Sequence, residues 1–236
     1  MPSPPPEPSG PSGATDQPPG AWPAGCRVSR WVEEAVFVAQ FDDAPEFRDR
    51  LRARVMALAA DPDRATPFGG EIGSVKIYDV DRWGCAEADL IHERALHLFR
   101  IVSRKAERAV DLSWASVYHD GDWCMPHSHP RTQASVLYVL DLGERGDKAG
   151  GQFCFADPRM KMCCREEPGY VSTPSAPPMT EGTMMLFPGQ AIHFVTPYHG
   201  SRPRLTMSWN LNHATRPGDP LPKGTRRPKH DRPAGT

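Results

Sequence analysis

His127 and His129 stand one residue apart in "CMPHSHP" (residues 124–130), with Pro126 and Pro130 beside them. A neutral imidazole is a ligand for divalent transition metals. In a strand, positions i and i+2 face the same side, about 6.5–7 Å apart along the chain. Both rings could therefore reach one ion. A third imidazole, His193, lies in "LFPGQAIHFVTP", an apolar stretch with little other use for it. Arg204 follows and opens the alternating run "RLTMSWN", where Arg204, Thr206 and Ser208 share one face of a strand. A buried arginine needs an anion. Its planar fork fits a carboxylate, and a hydroxyl two residues on can add a hydrogen bond. Arg202 shares the face and is the fallback. The bland alternative turns His129 outward beside Pro130, with water or Asp122 in its place.

Such side chains need a rigid frame, and the hydrophobic period supplies one. "EEAVFVAQF" (33–41) has strand character. Residues 43–60 read as a helix with Phe47, Leu51, Val55 and Leu58 on one face, ended by Asp61-Pro62. Asp43 and Glu46 have capping-box spacing. A second helix runs over 86–110, with Leu90, Ile91, Arg94, Leu98 and Val102 in period. Its His92 and His97 read as surface or boundary residues. From residue 111 the period becomes strand-like: 111–118, 123–129, 133–142, 150–156, 169–173, 182–188, 191–197 and 204–212 are strands separated by turn residues. The expectation is a mainly β protein with supporting helices, its sheets forming a double-stranded β-helix, the jelly-roll or cupin-like barrel. Residues 26–110 supply the N-terminal strand and support helices, and 111–212 the catalytic core. The Pro-rich stretches 1–25 and 213–236 read as disordered tails.

Composition removes other classes. The net charge of −1 suggests no nucleic-acid or membrane-surface partner. No apolar run is long enough to span a bilayer, and the N-terminus has no signal-peptide pattern. The expected compartment is cytoplasmic. Six cysteines without a CxxC pair read as free thiols, with Cys163-Cys164 serving loop chemistry or packing and not a redox device. Other residues have ordinary readings: Tyr138 as core, Trp209 as structural, His119 and His199 as solvated at turns, Asp157 and Arg159 as a pair across a turn.

The stretches "SVYHDGDWCMPHSHP", "ASVLYVLDL", "GGQFCFADPR", "TEGTMMLFPGQAIHFVTPYHG" and "PRLTMSWNL" resemble the Fe(II)/2-oxoglutarate-dependent dioxygenase superfamily. The nearest branches are the prolyl-4-hydroxylase-like one and a bacterial group of 2-oxoglutarate/iron oxygenases. The resemblance covers somewhat under half of the chain. It implies Fe(II), 2-oxoglutarate as co-substrate and dioxygen. It implies His127 as first metal ligand and His193 as distal ligand. Arg204 with Thr206 becomes the clamp for the co-substrate's C5 carboxylate, and Tyr118 a further contact. In most of the superfamily a carboxylate stands where this chain has His129. His-x-His followed by proline is a form of the motif in the bacterial group, which makes His129 the third ligand. Asp120, Asp122 and Asp157 are the carboxylates that could substitute. A three-imidazole face holds Fe(II) but also suits Zn(II) or Cu(II). The implied activity is hydroxylation of a small-molecule or peptidyl substrate. The alternatives are a metal-binding jelly roll without turnover and a three-His cupin-like dioxygenase that uses no 2-oxoglutarate. Arg204 speaks against the last.

Overall fold

The computed structural model describes residues 26, 28–30, 36–67, 73–104, 109–144, 150–156, 164–167, 170–174 and 177–213. The two expected tails and the Asp157–Arg159 pair lie outside these residues, as does Cys163. In chain order the strands are β1 (Val28–Arg30), β2 (Phe37–Gln40), β3 (Ala65–Pro67), β4 (Val75–Tyr78), β5 (Ala109–Tyr118), β6 (Cys124–His127), β7 (Ala134–Asp141), β8 (Phe153–Phe155), β9 (Cys164–Glu167), β10 (Tyr170–Pro174), β11 (Thr183–Pro188), β12 (His193–Val195) and β13 (Arg204–His213). Two helices, α1 (Ala44–Ala59) and α2 (Ala86–Ser103), precede β5.

An eight-stranded antiparallel sheet runs β1-β2-β11-β7-β13-β5-β4-β3, and a three-stranded sheet runs β6-β12-β8. The fold is a double-stranded β-helix. Its large sheet separates two apolar clusters. One, against the helices, joins Phe47, Leu51, Val55, Ile91 and Leu98 to Met184, Leu186, Leu205, Met207 and Trp209. The other, on the opposite face, holds Phe153, Phe155, Met185, Phe187 and Tyr198. Strand alternation divides neighbours between them: Met184 and Leu186 go one way, Met185 and Phe187 the other. Strand β7 is buried at every position because both of its faces are covered.

Several local expectations change. Asp43 makes no side-chain cap. Its carboxylate instead receives Arg94 Nη1 at 2.9 Å, and Nη2 as well. A buried guanidinium outcompetes an exposed backbone N–H for that charge. Helix α2 stops at Ser103, where Arg104 turns left-handed at φ 55°, and β5 begins at Ala109. His92 is buried, not at the surface, and accepts a hydrogen bond from Trp209 Nε1 at 3.1 Å. The segment 169–173 does not enter the sandwich: β10 pairs with β9 as a separate hairpin, which Cys164 opens. Strands β3 and β4 extend the large sheet through β4–β5 pairing. Their short lengths and mixed polarity gave no clear period.

Candidate metal centre

Strand pairing brings the first two imidazoles together. His193 on β12 lies directly opposite His127 on β6, and their ring centroids are 4.3 Å apart. His129 arrives differently. Strand β6 ends at His127, so the i, i+2 alternation does not place His129. A turn does: His129 N–H donates to Gly189 O at 2.6 Å, and Thr132 N–H donates to His129 O at 2.9 Å. Gly189 permits this approach, since a Cβ there would stand 2.9 Å from His129 O and 2.2 Å from Thr132 O. The ring centroids of His129 lie 5.0 Å from His127 and 5.2 Å from His193. One ligand nitrogen from each ring falls within 4.8 Å of the other two. Two nitrogens bound to one ion at about 2.1 Å stand within about 4.2 Å of each other, so a small inward motion closes the set.

The rings are also oriented. His127 Nδ1 lies 2.9 Å from Met125 O, and His193 Nδ1 lies 2.8 Å from Ala191 O. Each carbonyl accepts from Nδ1–H and leaves Nε2 with its lone pair. His129 Nδ1 lies 3.2 Å from Asn210 Nδ2, and Asn210 Oδ1 accepts from Ser135 Oγ at 3.0 Å. Turned over by half a rotation, the amide would bring its oxygen to the ring, accept from Nδ1–H and free Nε2 of His129. The Ser135 hydroxyl, which donates and accepts, suits that orientation. Burial pushes all three imidazoles down, His129 to about 4 and His193 well below the ordinary range, with mutual repulsion adding to the last two. They are neutral at neutral pH, the form that binds metal. Phe153 and Phe187 flank His193, at 5.4 and 4.9 Å between centroids.

The same cavity holds Arg204, Thr206, Tyr118, Ser116, Trp114 and Lys76. On β13 the residues alternate: Leu205, Met207, Trp209 and Leu211 belong to the cluster against the helices, while Arg204, Thr206, Ser208 and Asn210 line the cavity, which Trp209 also borders. Arg204 is 1% exposed. Among the described residues nothing hydrogen-bonds its Nε or Nη1. Buried donors of this kind are rare without a missing partner. Its guanidinium stands 5.2 Å from the Tyr118 ring centroid, and burial holds the Tyr118 phenol protonated, pushed up to about 12. Gly151 makes room for the arginine stem, since a Cβ there would come within 2.9 Å of Arg204 Cδ.

The remaining sequence candidates fall elsewhere. Asp122 accepts from His119 N–H at 2.7 Å, and Asp120 sits 3.4 Å from His199 on the surface. Among the described residues no carboxylate joins the histidine group. Arg202 does not share the surroundings of Arg204: its guanidinium donates to Gly143 O at 2.7 Å and reaches Asp141, half exposed. It precedes the strand, so alternation does not apply to it. Cys124 Sγ is 3.6 Å from His127 Nδ1, and burial keeps it a thiol. Asn210 and Lys76 were not foreseen. Asn210 shares the alternation of Arg204 and could have been read from it. Lys76 lies on an unrecognised strand and had no signal.

Residues 112–210 match the model of a family described as "Putative 2OG-Fe(II) oxygenase". No curated protein matches the sequence. Among solved structures, the chain is similar to a prolyl-4-hydroxylase from Pseudomonas putida, with 19% identity, a TM-score of 0.56, and coverage of 77% of this chain and 94% of that one. It is similar to a Trichoplax adhaerens prolyl hydroxylase in complex with a hypoxia-inducible-factor oxygen degradation domain peptide, with 12% identity, a TM-score of 0.54, and coverage of 77% and 84%. It is also similar to SnoN, a non-heme alpha-ketoglutarate-dependent epimerase from nogalamycin biosynthesis, with 16% identity, a TM-score of 0.55, and coverage of 83% and 88%. At these identities the likeness is one of fold. The family match over residues 112–210, together with the imidazoles clustered within it, supports a dioxygenase-type oxidoreductase of the 2-oxoglutarate/Fe(II) kind.

Proposed function

We propose that the protein is a hydroxylase in which His127, His129 and His193 hold Fe(II), while Arg204, assisted by Thr206 and Tyr118, holds 2-oxoglutarate. The observation that carries this reading is the buried Arg204, whose Nε and Nη1 have no hydrogen-bond partner among the described residues, in the same cavity as three converging imidazoles. The residues fit the groups. Three neutral nitrogens make one open coordination face, and a buried fork without an anion fits a carboxylate. The iron, when bound, supplies the oxygen chemistry, driven by oxidative decarboxylation of 2-oxoglutarate.

The chain's own residues orient and shield. Met125 O and Ala191 O fix the tautomers of His127 and His193. Arg204 sets the position of the distal carboxylate, with the Thr206 hydroxyl two residues along the same strand face. Tyr118, kept as a phenol, offers a hydrogen-bond donor from the facing strand, opposite Arg204 in register. Phe153, Phe155 and Phe187 keep water from one side of His193. No protein acid or base is required.

Release of labelled carbon dioxide from 2-oxoglutarate tests the reading. The iron-loaded protein should decarboxylate it, and His193→Ala should not. Arg204→Ala should weaken 2-oxoglutarate binding by at least ~2 kcal/mol, as for one lost partner of a buried charge pair. Wild-type protein that binds iron but releases no label would favour a metal-binding module without turnover, which the replacement of a carboxylate by His129 motivates. No helix among the described residues is long and apolar enough to cross a membrane. The free thiols at Cys26, Cys85, Cys124 and Cys154 support a cytoplasmic setting. The substrate is a small molecule or a peptide, without nucleic acid.

A further inference from the structure

Lys76 sits on β4, outside the residues that match the family, and yet lines the metal-centre cavity. Its Nζ donates to Ser116 Oγ at 2.7 Å and stands 5.7 Å from the Trp114 ring centroid. Neither neighbour carries charge. Among the described residues no carboxylate pairs with it. We propose that Lys76 is a second carboxylate anchor in this cavity, and that the substrate to be hydroxylated is an organic acid whose carboxylate pairs with it. This inference rests on the functional reading above.

Two arguments carry it. The first is charge. Iron brings two positive charges to the cavity, Arg204 a third and Lys76 a fourth; 2-oxoglutarate returns two, and the three imidazoles return none. A buried site with that surplus calls for a further anion. In the superfamily's usual site a carboxylate ligand reduces the surplus. Here its place is taken by His129, so the substrate is left to supply the charge. The second argument is register. Ser116 pairs with Thr206 on one side and with Lys76 on the other. Lys76 is therefore two residue pairs from Arg204 along the strands and two strands aside, or about 10 Å across the sheet. A co-substrate stretched along β13 from Arg204 to the imidazoles passes beside Lys76 and leaves it free. Burial pushes the Lys76 ammonium down to about 8, with Arg204 adding repulsion, so it is still mostly charged at neutral pH. A carboxylate fits better than a phosphate dianion. An ammonium and the Ser116 hydroxyl are few donors for three phosphate oxygens.

The test uses protein loaded with Ni(II) and 2-oxoglutarate, which binds without turnover. Propionate and inorganic phosphate are the probes, followed by ligand-observed nuclear magnetic resonance. Propionate should bind the loaded wild type, and Lys76→Met should weaken it by at least about tenfold, the loss of a charge-assisted pair. Lys76→Arg should retain binding. Nickel and 2-oxoglutarate affinities should stay within about threefold in both variants, since their partners are elsewhere. Absence of propionate binding to the loaded wild type would overturn the proposal, as would equal binding to Lys76→Met or a preference for phosphate. Loss of 2-oxoglutarate affinity in Lys76→Met would also overturn it, by making Lys76 part of the co-substrate clamp. If Lys76→Met does not fold, Lys76→Gln takes its place under the same criteria. Failure of the underlying reading looks different: the wild type would take up nickel but no 2-oxoglutarate.

Discussion

An imidazole gives iron a nitrogen lone pair and no charge, whereas a carboxylate gives a hard oxygen and one negative charge. In the proposed site His129 makes that exchange, and its neighbours would accommodate it. Asn210 faces its Nδ1, and Trp114 lies 6.0 Å from its ring centroid. We expect His129→Ala to reduce iron affinity about as severely as His193→Ala, and His129→Asp to restore it; calorimetry on the metal-free variants measures both. Full iron occupancy and full 2-oxoglutarate turnover in His129→Ala would remove His129 from the site. Asn210→Leu should weaken metal binding about 10- to 100-fold, the usual cost of losing the group that orients a ligand. The ring-nitrogen resonances of His129 in the metal-free protein should show its tautomer released; an unchanged tautomer would mean Asn210 does not orient it. His127, His193 and Arg204 were readable as candidates because each is a polar residue at an odd place in an apolar pattern. The convergence of His129 was expected from i, i+2 spacing, whereas the assigned strand ends at His127. Its position comes from a turn and a glycine contact distant in sequence, which strand periodicity does not encode.

At the level of elements, the helices back the sheet that carries the chemistry. Arg94 of α2 is buried, paired with Asp43 just before α1, and stacked 4.4 Å from the Phe41 ring centroid. The pair ties the two helices together where α1 begins. Arg94→Ala should lower stability by about 3 kcal/mol, near the lower end for breaking a buried ion pair because Asp43 keeps some solvent. Urea unfolding measures it; a loss under about 0.5 kcal/mol, as for an ordinary surface change, would contradict the assignment. The helix faces were legible, since Phe47, Leu51, Val55 and Leu58 follow the helical period and are buried together. Arg94 falls in the same period, which already marked it as an inward charge. Two things were not legible. The end of α2 is set by a left-handed arginine, which residue type disfavours. Strands β3 and β4 have three and four residues, too few for alternation to register.

For the whole molecule, the buried imidazoles link folding to pH. His127, His129 and His193 titrate below the ~6.5 of an unfolded histidine. The unfolded chain therefore binds more protons just below that pH, and stability is present above it and lost as pH falls through it. Metal-free protein should melt at a lower temperature at pH 5.5 than at pH 7.5, and the drop should shrink in His129→Asn. An equal drop in the variant would place the effect on other groups. A different consequence follows from β13, whose odd-numbered residues Leu205 to Leu211 face the helices and whose even-numbered residues Arg204 to Asn210 face the cavity. One strand thus holds two independent inheritances. Changes at odd positions are felt as unfolding, and changes at even positions as altered ligand preference in a protein that still folds. Tolerance to mutation along this strand should rise and fall with every second residue, so the enzyme's choice of substrate can drift through evolution while its architecture stays fixed.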